Sequence, residues 1–551
     1  MSVGALASKS QIRFFTAIDE RSAAFMALGL ASATGKATIV ITTSGTAVSN
    51  LLPAAVEADR SCLPIIFITA DRPARLKNCG ANQTVNQEEF LLPVCRQVIQ
   101  TPKEGIHQLE SNFSISSIVK RTCLGALLKP GPVHLNIPIE EPLHPSYSEQ
   151  KEVFMGWRPI GFKEELNQSV LDQHHVDNSL KHFPKLDPSK PGLILVGPWR
   201  GKPENLELFR KSLKEFQSLT RWPVFADPLS GVTSDQSGLI QFWELLINCS
   251  IVNIGKGIQV LRLGPLSPSK SLETFLKNLT GKQLLITEGE DRFLDPLFLA
   301  EQYSKGLNKW HLQFLKEYKD SNKKIFSKSN HLFDKLYQAN EKITLYLKGK
   351  LNLEGKINEI NLSRYLLTFL PKRFPLMLSS SSPIRDFLTY SGTLALTRRC
   401  FSFRGASGID GNISLAVGIS IAVGSLVLVC GDLAFLHDSN AFLLSQPKDH
   451  PLIIILIDNQ GGGIFKQIGL QKIYVGNIDS LFSMPQTPNP SYIAASHKIP
   501  CRKIISFDDL KCGIAWAKQL TGPVLLHIST NATEDSLLRK EIVNDLKKII
   551  N

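Results

Sequence analysis

Two uninterrupted apolar runs constrain this chain more than any other feature. VGSLVLVCGD ends at Asp432, and HPLIIILIDN ends at Asp458 and Asn459, with glycines following from Gly461. Runs without polar alternation read as parallel strands buried on both faces. In an open α/β sheet, ligands collect beyond the carboxyl ends of such strands. The 26 residues between Asp432 and Asn459 suffice for one crossover helix between neighbouring parallel strands, expected at Ala434–Leu444. A carboxylate, an amide oxygen and a freed glycine carbonyl form a hard-oxygen half-shell. Such a half-shell suits Mg²⁺ carrying a phosphorylated ligand. Strands also end in Asp or Asn as ordinary turn residues; the GGGIF turn directly after Gln460 weighs toward the metal.

The rest of the chain repeats the α/β pattern in three blocks. The first holds a helix near Glu20–Ala33, the strand ATIVITTSG, a helix through Val48–Ala58, and the strands LPIIFITADRP and GPVHLNIPI. The second runs from PGLILVGPWRG through WPVFADP, CSIVNIG, VLRLGPL and QLLITEG to about Gly289. The third starts near Ile357 and closes in the charged helix DSLLRKEIVNDLKKII. The expected boundaries are a first domain over 1–145, a linker over 146–190, a central domain with helical connector over 191–350, and a last domain over 351–551.

Composition excludes several classes. Nine cysteines without a C-x-x-C pair argue against a disulfide framework or zinc site and fit a reducing, cytoplasmic setting. MSVGALASKSQIRFF lacks a long apolar stretch, so no signal peptide is expected. The uncharged run Asn412–Gly431 has the length of a membrane span. Gly418 and Gly424 interrupt it, however, and a helix followed by a buried strand explains it as well. The net charge of +13 raises nucleic acid as a partner. Yet the lysines between Lys316 and Lys350 alternate with Glu317, Asp320, Asp334 and Glu341 at helical spacing, as on a solvated helical face. No nucleic-acid partner is expected.

Further motifs surround the metal segment. RGASGIDG, from Arg404 to Gly411, is a glycine-rich loop that lets backbone approach a phosphate or a flat ring. Arg404 and Arg385 (in SSSSPIRD) carry the planar fork that clamps carboxylates; taken singly, each reads more readily as a surface ion pair. Glu20 follows Asp19 at a helix start, where a carboxylate is favoured by the helix dipole. In TADRPARLKNCGANQTVNQ, Arg72, Asn82 and Gln83 either line a pocket at a strand end or pack a loop.

Together IDERSAAFMALGLA, TSGTAVSNLLPAAVEA, TADRPARLKNCGANQTVNQ, GPVHLNIPIEEPL, LGPLSPSK, RGASGIDG, GDLAFLHDSNA and NQGGGIF resemble the thiamine-diphosphate enzymes. Within them, the chain is similar to the 2-succinyl-5-enolpyruvyl-6-hydroxy-3-cyclohexene-1-carboxylate synthases of menaquinone and phylloquinone biosynthesis. The resemblance implies three doubly wound parallel-sheet α/β domains: pyrimidine-binding, central, and diphosphate- and Mg-binding. It implies a homodimer or homotetramer, with active sites between the first domain of one subunit and the last of another. It implies a transferase that decarboxylates 2-oxoglutarate and adds the succinyl carbanion equivalent to isochorismate. The cofactors implied are thiamine diphosphate and Mg²⁺, with Mn²⁺ a substitute.

Residue by residue, Glu20 matches the glutamate that hydrogen-bonds N1′ of the aminopyrimidine. Arg72, Gln83, Lys270, Ser381, Arg385 and Arg404 match substrate-pocket positions. Ser407, Gly408, Ile409, Ala434, Ile464 and Phe465 match cofactor contacts, and Asp432, Asn459 and the Gly461 carbonyl match metal ligands. The chain also departs from the family pattern. Family members carry a first strand and a PGSRST-type loop before the region matching Ala5–Glu20, so the expected true start lies upstream of MSVGALAS. The alternative expectation is a non-catalytic or acceptor-impaired relative that keeps cofactor binding. Asp458 replaces a usual asparagine, Gly463 stands where a larger polar residue is common, and Ser271 where an arginine is frequent.

Overall fold

Strands form where the aliphatic runs lie, and every pairing among the described strands is parallel. The computed structural model describes residues 13–105, 112–141, 143, 146–156, 183–249, 255, 257–319, 330–444, 449–467 and 479–550. These contain three sheets in two compact units; one unit carries the first sheet and the other carries the second and third.

The first sheet has the order β1-β2-β4-β3, from β1 (Thr38–Thr42), β2 (Ile65–Asp71), β3 (Gln97–Gln100) and β4 (Pro132–Pro138). The helix Glu20–Thr34 precedes β1 and buries Ala24, Phe25, Leu28 and Ala31. The helix expected through Val48–Ala58 is two pieces, Thr46–Ser49 and Leu52–Ser61. Pro53 explains the restart, because proline fits a first helical turn and not an interior.

The second sheet, β6-β5-β7-β8-β9, comprises β5 (Gly192–Val196), β6 (Val224–Ala226), β7 (Gln259–Leu263), β8 (Gln283–Ile286) and β9 (Ala300–Tyr303). It therefore extends past the expected end near Gly289. The expected strand CSIVNIG falls mostly outside the described residues. The lysine-rich connector is helical over Leu307–Lys319 and Asn330–Lys350. Leu332, Leu336, Ala339, Ile343 and Leu347 form one buried stripe, which leaves Lys342 and Lys348 exposed, as an amphipathic surface helix requires.

The third sheet runs β11-β10-β12-β13-β15-β14, from β10 (Leu376–Leu378), β11 (Cys400–Phe401), β12 (Leu426–Gly431), β13 (Pro451–Asp458), β14 (Cys501–Ile504) and β15 (Gly522–Ser529). Consecutive residues of β12 and β13 are buried almost without exception, so both faces of the sheet are covered. Leu366, Phe387, Val429, Ile455, Leu510 and Leu526 belong to its core. Chain order runs from β10 outward to β11 and then returns to β12 on the other side of β10. That reversal makes the β10/β12 boundary a topological switch point, where adjacent loops diverge and leave a crevice. The apolar run at Asn412–Gly431 divides into the helix Asn412–Val423 and β12. Among the described residues, no helix is long and apolar enough to cross a membrane.

Candidate active site

Four segments singled out in the sequence leave the carboxyl ends of four neighbouring strands. RGASGIDG follows β11, SSSSPIRD follows β10, Asp432 follows β12, and Asn459 with its glycines follows β13. The switch point thus brings Ser381, Arg385, Arg404, the 407–409 loop, Asp432, Ala434, Asn459, Gly461, Ile464 and Phe465 to one edge of one sheet.

Asp432 opens the helix Asp432–His437 and is 5% exposed. Its Oδ1 accepts the Leu433 amide at 2.8 Å, and its Oδ2 accepts the Gly461 amide at 2.6 Å. Burial pushes the carboxyl up to about 6, against those two amides and with the Asp458 carboxylate adding to the rise. The crossover helix expected at Ala434–Leu444 is shorter: it stops at His437 and continues as a 3-10 turn over Ser439–Leu443. Asp438 accounts for the break, since its carboxylate accepts the Ser414 amide at 2.7 Å and the Ser414 hydroxyl at 3.0 Å.

Asn459 lies one residue beyond β13. Its Nδ2 donates to Glu359 Oε1 at 2.6 Å, while its Oδ1 is buried with no hydrogen-bond partner among the described residues. Gly461 has φ +120°, and a Cβ there would lie 2.1 Å from the Ser483 carbonyl oxygen. Only glycine allows this turn to bring its amide onto Asp432. A cation would meet two needs here, an amide oxygen without a partner among the described residues and a buried carboxylate short of positive charge. The donor set fits a hard divalent ion.

Asp458, the departure beside Asn459, has its own partner. His527 Nε2 lies 2.8 Å from Asp458 Oδ2, and His527 Nδ1 lies 2.7 Å from Ser491 Oγ. The hydrogen bond from His527 holds the Asp458 carboxyl below its ordinary range. Sequence reasoning missed His527, and it missed Glu359; neither sits in a recognisable motif.

Across the switch point, Ser381 has φ +74° and heads the helix Ser382–Tyr390; its carbonyl accepts Arg385 Nη1 at 2.7 Å. Burial lowers the Arg385 guanidinium from its usual value. The Arg404 carbonyl accepts Arg200 Nη2 at 2.9 Å, and the Arg404 charge moderates the burial penalty on Asp227. Ser407 has φ +63°, Gly408 packs against Asp410, and Ile409 is exposed, with its carbonyl accepting Asn412 Nδ2 at 2.6 Å. Ala434 is buried, and Phe465 tilts against Phe482 with Ile464 beside it in the 3-10 turn Gly463–Lys466.

Lys270 stands apart from this row. It begins the helix Lys270–Lys277 after β7, is 86% exposed, and pairs with Glu273 at 3.0 Å. In the other unit, Asp19 accepts the amides of Arg21 and Ser22 and leaves Glu20 as the first helical residue. Arg72 directly follows β2, and its amide bonds Asp71 Oδ1 at 2.8 Å. Gln83 has φ +56° and donates to the Ser44 carbonyl at 2.9 Å; Ser44 Oγ returns a bond to the Gln83 carbonyl at 3.0 Å. Gln87 is fully buried and secures this loop. It accepts the Gly45 amide at 2.9 Å and donates to Ala70 O and Asn136 Oδ1.

Comparison with known proteins bears on this arrangement. The family model described as thiamine pyrophosphate enzyme, N-terminal TPP binding domain, matches residues 2–90, and its C-terminal TPP binding counterpart matches residues 391–528. A 2-succinyl-5-enolpyruvyl-6-hydroxy-3-cyclohexene-1-carboxylate synthase from Prochlorococcus marinus strain SARG is 58% identical over 100% of this chain and 96% of its own length. Proteins of the same name from P. marinus strain MIT 9313 and Synechococcus sp. strain CC9902 are 45% and 44% identical, each over 98% of this chain and 94% of their own length. With identity of this degree along the whole length and both cofactor-domain matches in place, the chain belongs to the 2-succinyl-5-enolpyruvyl-6-hydroxy-3-cyclohexene-1-carboxylate synthase family of thiamine-diphosphate enzymes.

Proposed function

We propose that this chain decarboxylates 2-oxoglutarate and joins the resulting succinyl unit to isochorismate, with thiamine diphosphate and Mg²⁺ as cofactors. The observation that supports this reading is the row of neighbouring strand ends around the β10/β12 switch point, which the segments carrying Arg385, Arg404, Asp432 and Asn459 leave. When bound, the thiazolium supplies the carbanion stabilisation that no side chain can provide.

In this reading the protein supplies placement and charge. Asp432, the Asn459 amide oxygen and the Gly461 carbonyl hold the cation; Ser407, Gly408 and Ala434 approach the cofactor; and Ile409, Ile464 and Phe465 pack against it. Arg385 and Arg404 bind substrate carboxylates. In a cleft poor in water, the loss of either costs about 2–5 kcal/mol, because a buried carboxylate loses its charged donor. Ser381 orients Arg385 through its carbonyl. Arg72, Gln83 and Lys270 contribute further pocket contacts. Glu20 hydrogen-bonds N1′ of the aminopyrimidine and moves the proton there. The working form is a homodimer or homotetramer in the cytoplasm, each site drawing Glu20 from one subunit and Asp432 from another.

The test is an assay of purified protein with thiamine diphosphate, Mg²⁺ and 2-oxoglutarate, with and without isochorismate. Cofactor-dependent CO₂ release with formation of the coupled product is expected. Absence of cofactor-dependent CO₂ release overturns the reading, and release without coupling overturns the choice of acceptor.

A further inference from the structure

Asn459 has a side chain with one donor end and one acceptor end, and only the acceptor end can face a cation. Which end faces where is set by its neighbour. Glu359 Oε1 receives the Asn459 amide at 2.6 Å, and an ionised carboxylate accepts hydrogen bonds without donating any. The group facing Glu359 is therefore the NH₂, and Oδ1 is turned the other way. Among the described residues, Oδ1 is buried and has no hydrogen-bond partner. The amide has room for this pose because residue 463 is glycine; a Cβ there would lie 2.6 Å from Asn459 Nδ2.

Glu359 is itself locked from behind. Arg539 Nη2 donates to Glu359 Oε2 at 2.6 Å and to Asp386 Oδ2 at 2.6 Å, while Arg539 Nε reaches Asp386 Oδ1 at 3.0 Å. Glu359 is 2% exposed and Asp386 is 4% exposed, so these bonds are shielded from solvent. The three residues come from three helices. Glu359 opens Glu359–Phe369 behind a capping box made by Asn358 and Asn361, Asp386 lies on Ser382–Tyr390 beside Arg385, and Arg539 lies on Ala532–Ile550. A guanidinium fork bridging two carboxylates in this way fixes direction as well as distance.

We propose that Glu359, braced by Arg539 and Asp386, is a positioning residue that sets the flip of the Asn459 amide and so presents Oδ1 to the cation. This rests on the cation reading of Asp432 and Asn459 given above. Outer groups that orient a metal ligand are worth about 10–100-fold in metal affinity.

The experiment follows thiamine diphosphate binding to the full-length protein by calorimetry while Mg²⁺ is titrated. Glu359→Gln presents an amide that can face either end of Asn459. It is expected to raise the Mg²⁺ concentration at half-maximal cofactor binding by about 10–100-fold, with wild-type cofactor affinity regained at saturating Mg²⁺. Arg539→Lys keeps the charge but loses the fork, and shifts the Mg²⁺ requirement the same way by a smaller factor. In an Asn459→Ala background, Glu359→Gln adds less than about twofold, as expected when one residue acts through the other. An unchanged Mg²⁺ requirement in both single variants overturns the inference, as does an equal shift in the Asn459→Ala background. Cofactor binding by the wild-type protein with no dependence on Mg²⁺ overturns the cation reading itself.

Discussion

Buried carboxylates in this chain divide by whether a positive partner reaches them, and the division makes testable statements about single residues. Glu244 lacks one among the described residues. Its Oε1 accepts Ser269 Oγ at 2.7 Å and Asn248 Nδ2 at 3.3 Å, its Oε2 has no partner among them, and burial first, then Asp227, pushes the carboxyl up to about 7. The folded pKa lies above the ordinary 4.5, so the folded state holds the proton more tightly. The resulting stability is complete below the ordinary value and is lost as pH rises through about 7, a change of about 3 kcal/mol at 1.36 kcal/mol per pKa unit. Glu244→Gln is expected to flatten this part of the fall in urea midpoint between pH 4.5 and 7; a variant as steep as wild type contradicts it. Glu20 is a different case, because its role is chemical. Glu20→Gln is expected to abolish turnover while leaving thiamine diphosphate binding largely intact, measured as CO₂ release beside a cofactor titration. Normal turnover removes the assignment.

At the scale of elements, the turn after β13 is the most demanding piece of backbone. Gly461→Ala puts a Cβ 2.1 Å from the Ser483 carbonyl at φ +120°, and strain of this kind costs about 1–3 kcal/mol. The variant is expected to melt earlier and to need more Mg²⁺ for cofactor binding; wild-type values for both would contradict the description of the turn. Elements also show what the sequence could and could not reveal. β12 and β13 were legible because strands buried on both faces leave no polar residue in the run. Asp432 and Asn459 were legible for the same reason: each ends such a run. β3 (QVIQ) and β9 (AEQY) were not, since each is a short strand at a sheet edge with polar residues on its partly exposed side. The crossover helix was overextended because its apolar spacing persists past Asp438, where tertiary bonds to Ser414 end the helix. Glu359 and Arg539 were illegible for a plainer reason. At a helix start, a glutamate reads as a dipole partner, and its real partners lie 100 and 180 residues away.

For the whole molecule, net charge and assembly are the properties at issue. The +13 balance is carried partly on the solvent side of the helix Asn330–Lys350, whose other side is core. If each active site draws Glu20 and Asp432 from different subunits, two dead variants complement each other. A mixture of Glu20→Gln and Asp432→Ala proteins, unfolded and refolded together, is expected to regain roughly a quarter of wild-type activity, because half of a random dimer population carries one intact site. No recovery, with mixed dimers demonstrated by differential tagging, contradicts the shared site. The proposed cation site is more local: two neighbouring strand ends would grip one divalent ion. Crystals grown with thiamine diphosphate and Mn²⁺ in place of Mg²⁺ test it through the anomalous signal. The expected result is one strong peak about 2 Å from an Asp432 carboxylate oxygen and from Asn459 Oδ1, on the diphosphate. A peak elsewhere, or cofactor bound with Asp432 and Asn459 turned from any cation, would contradict it.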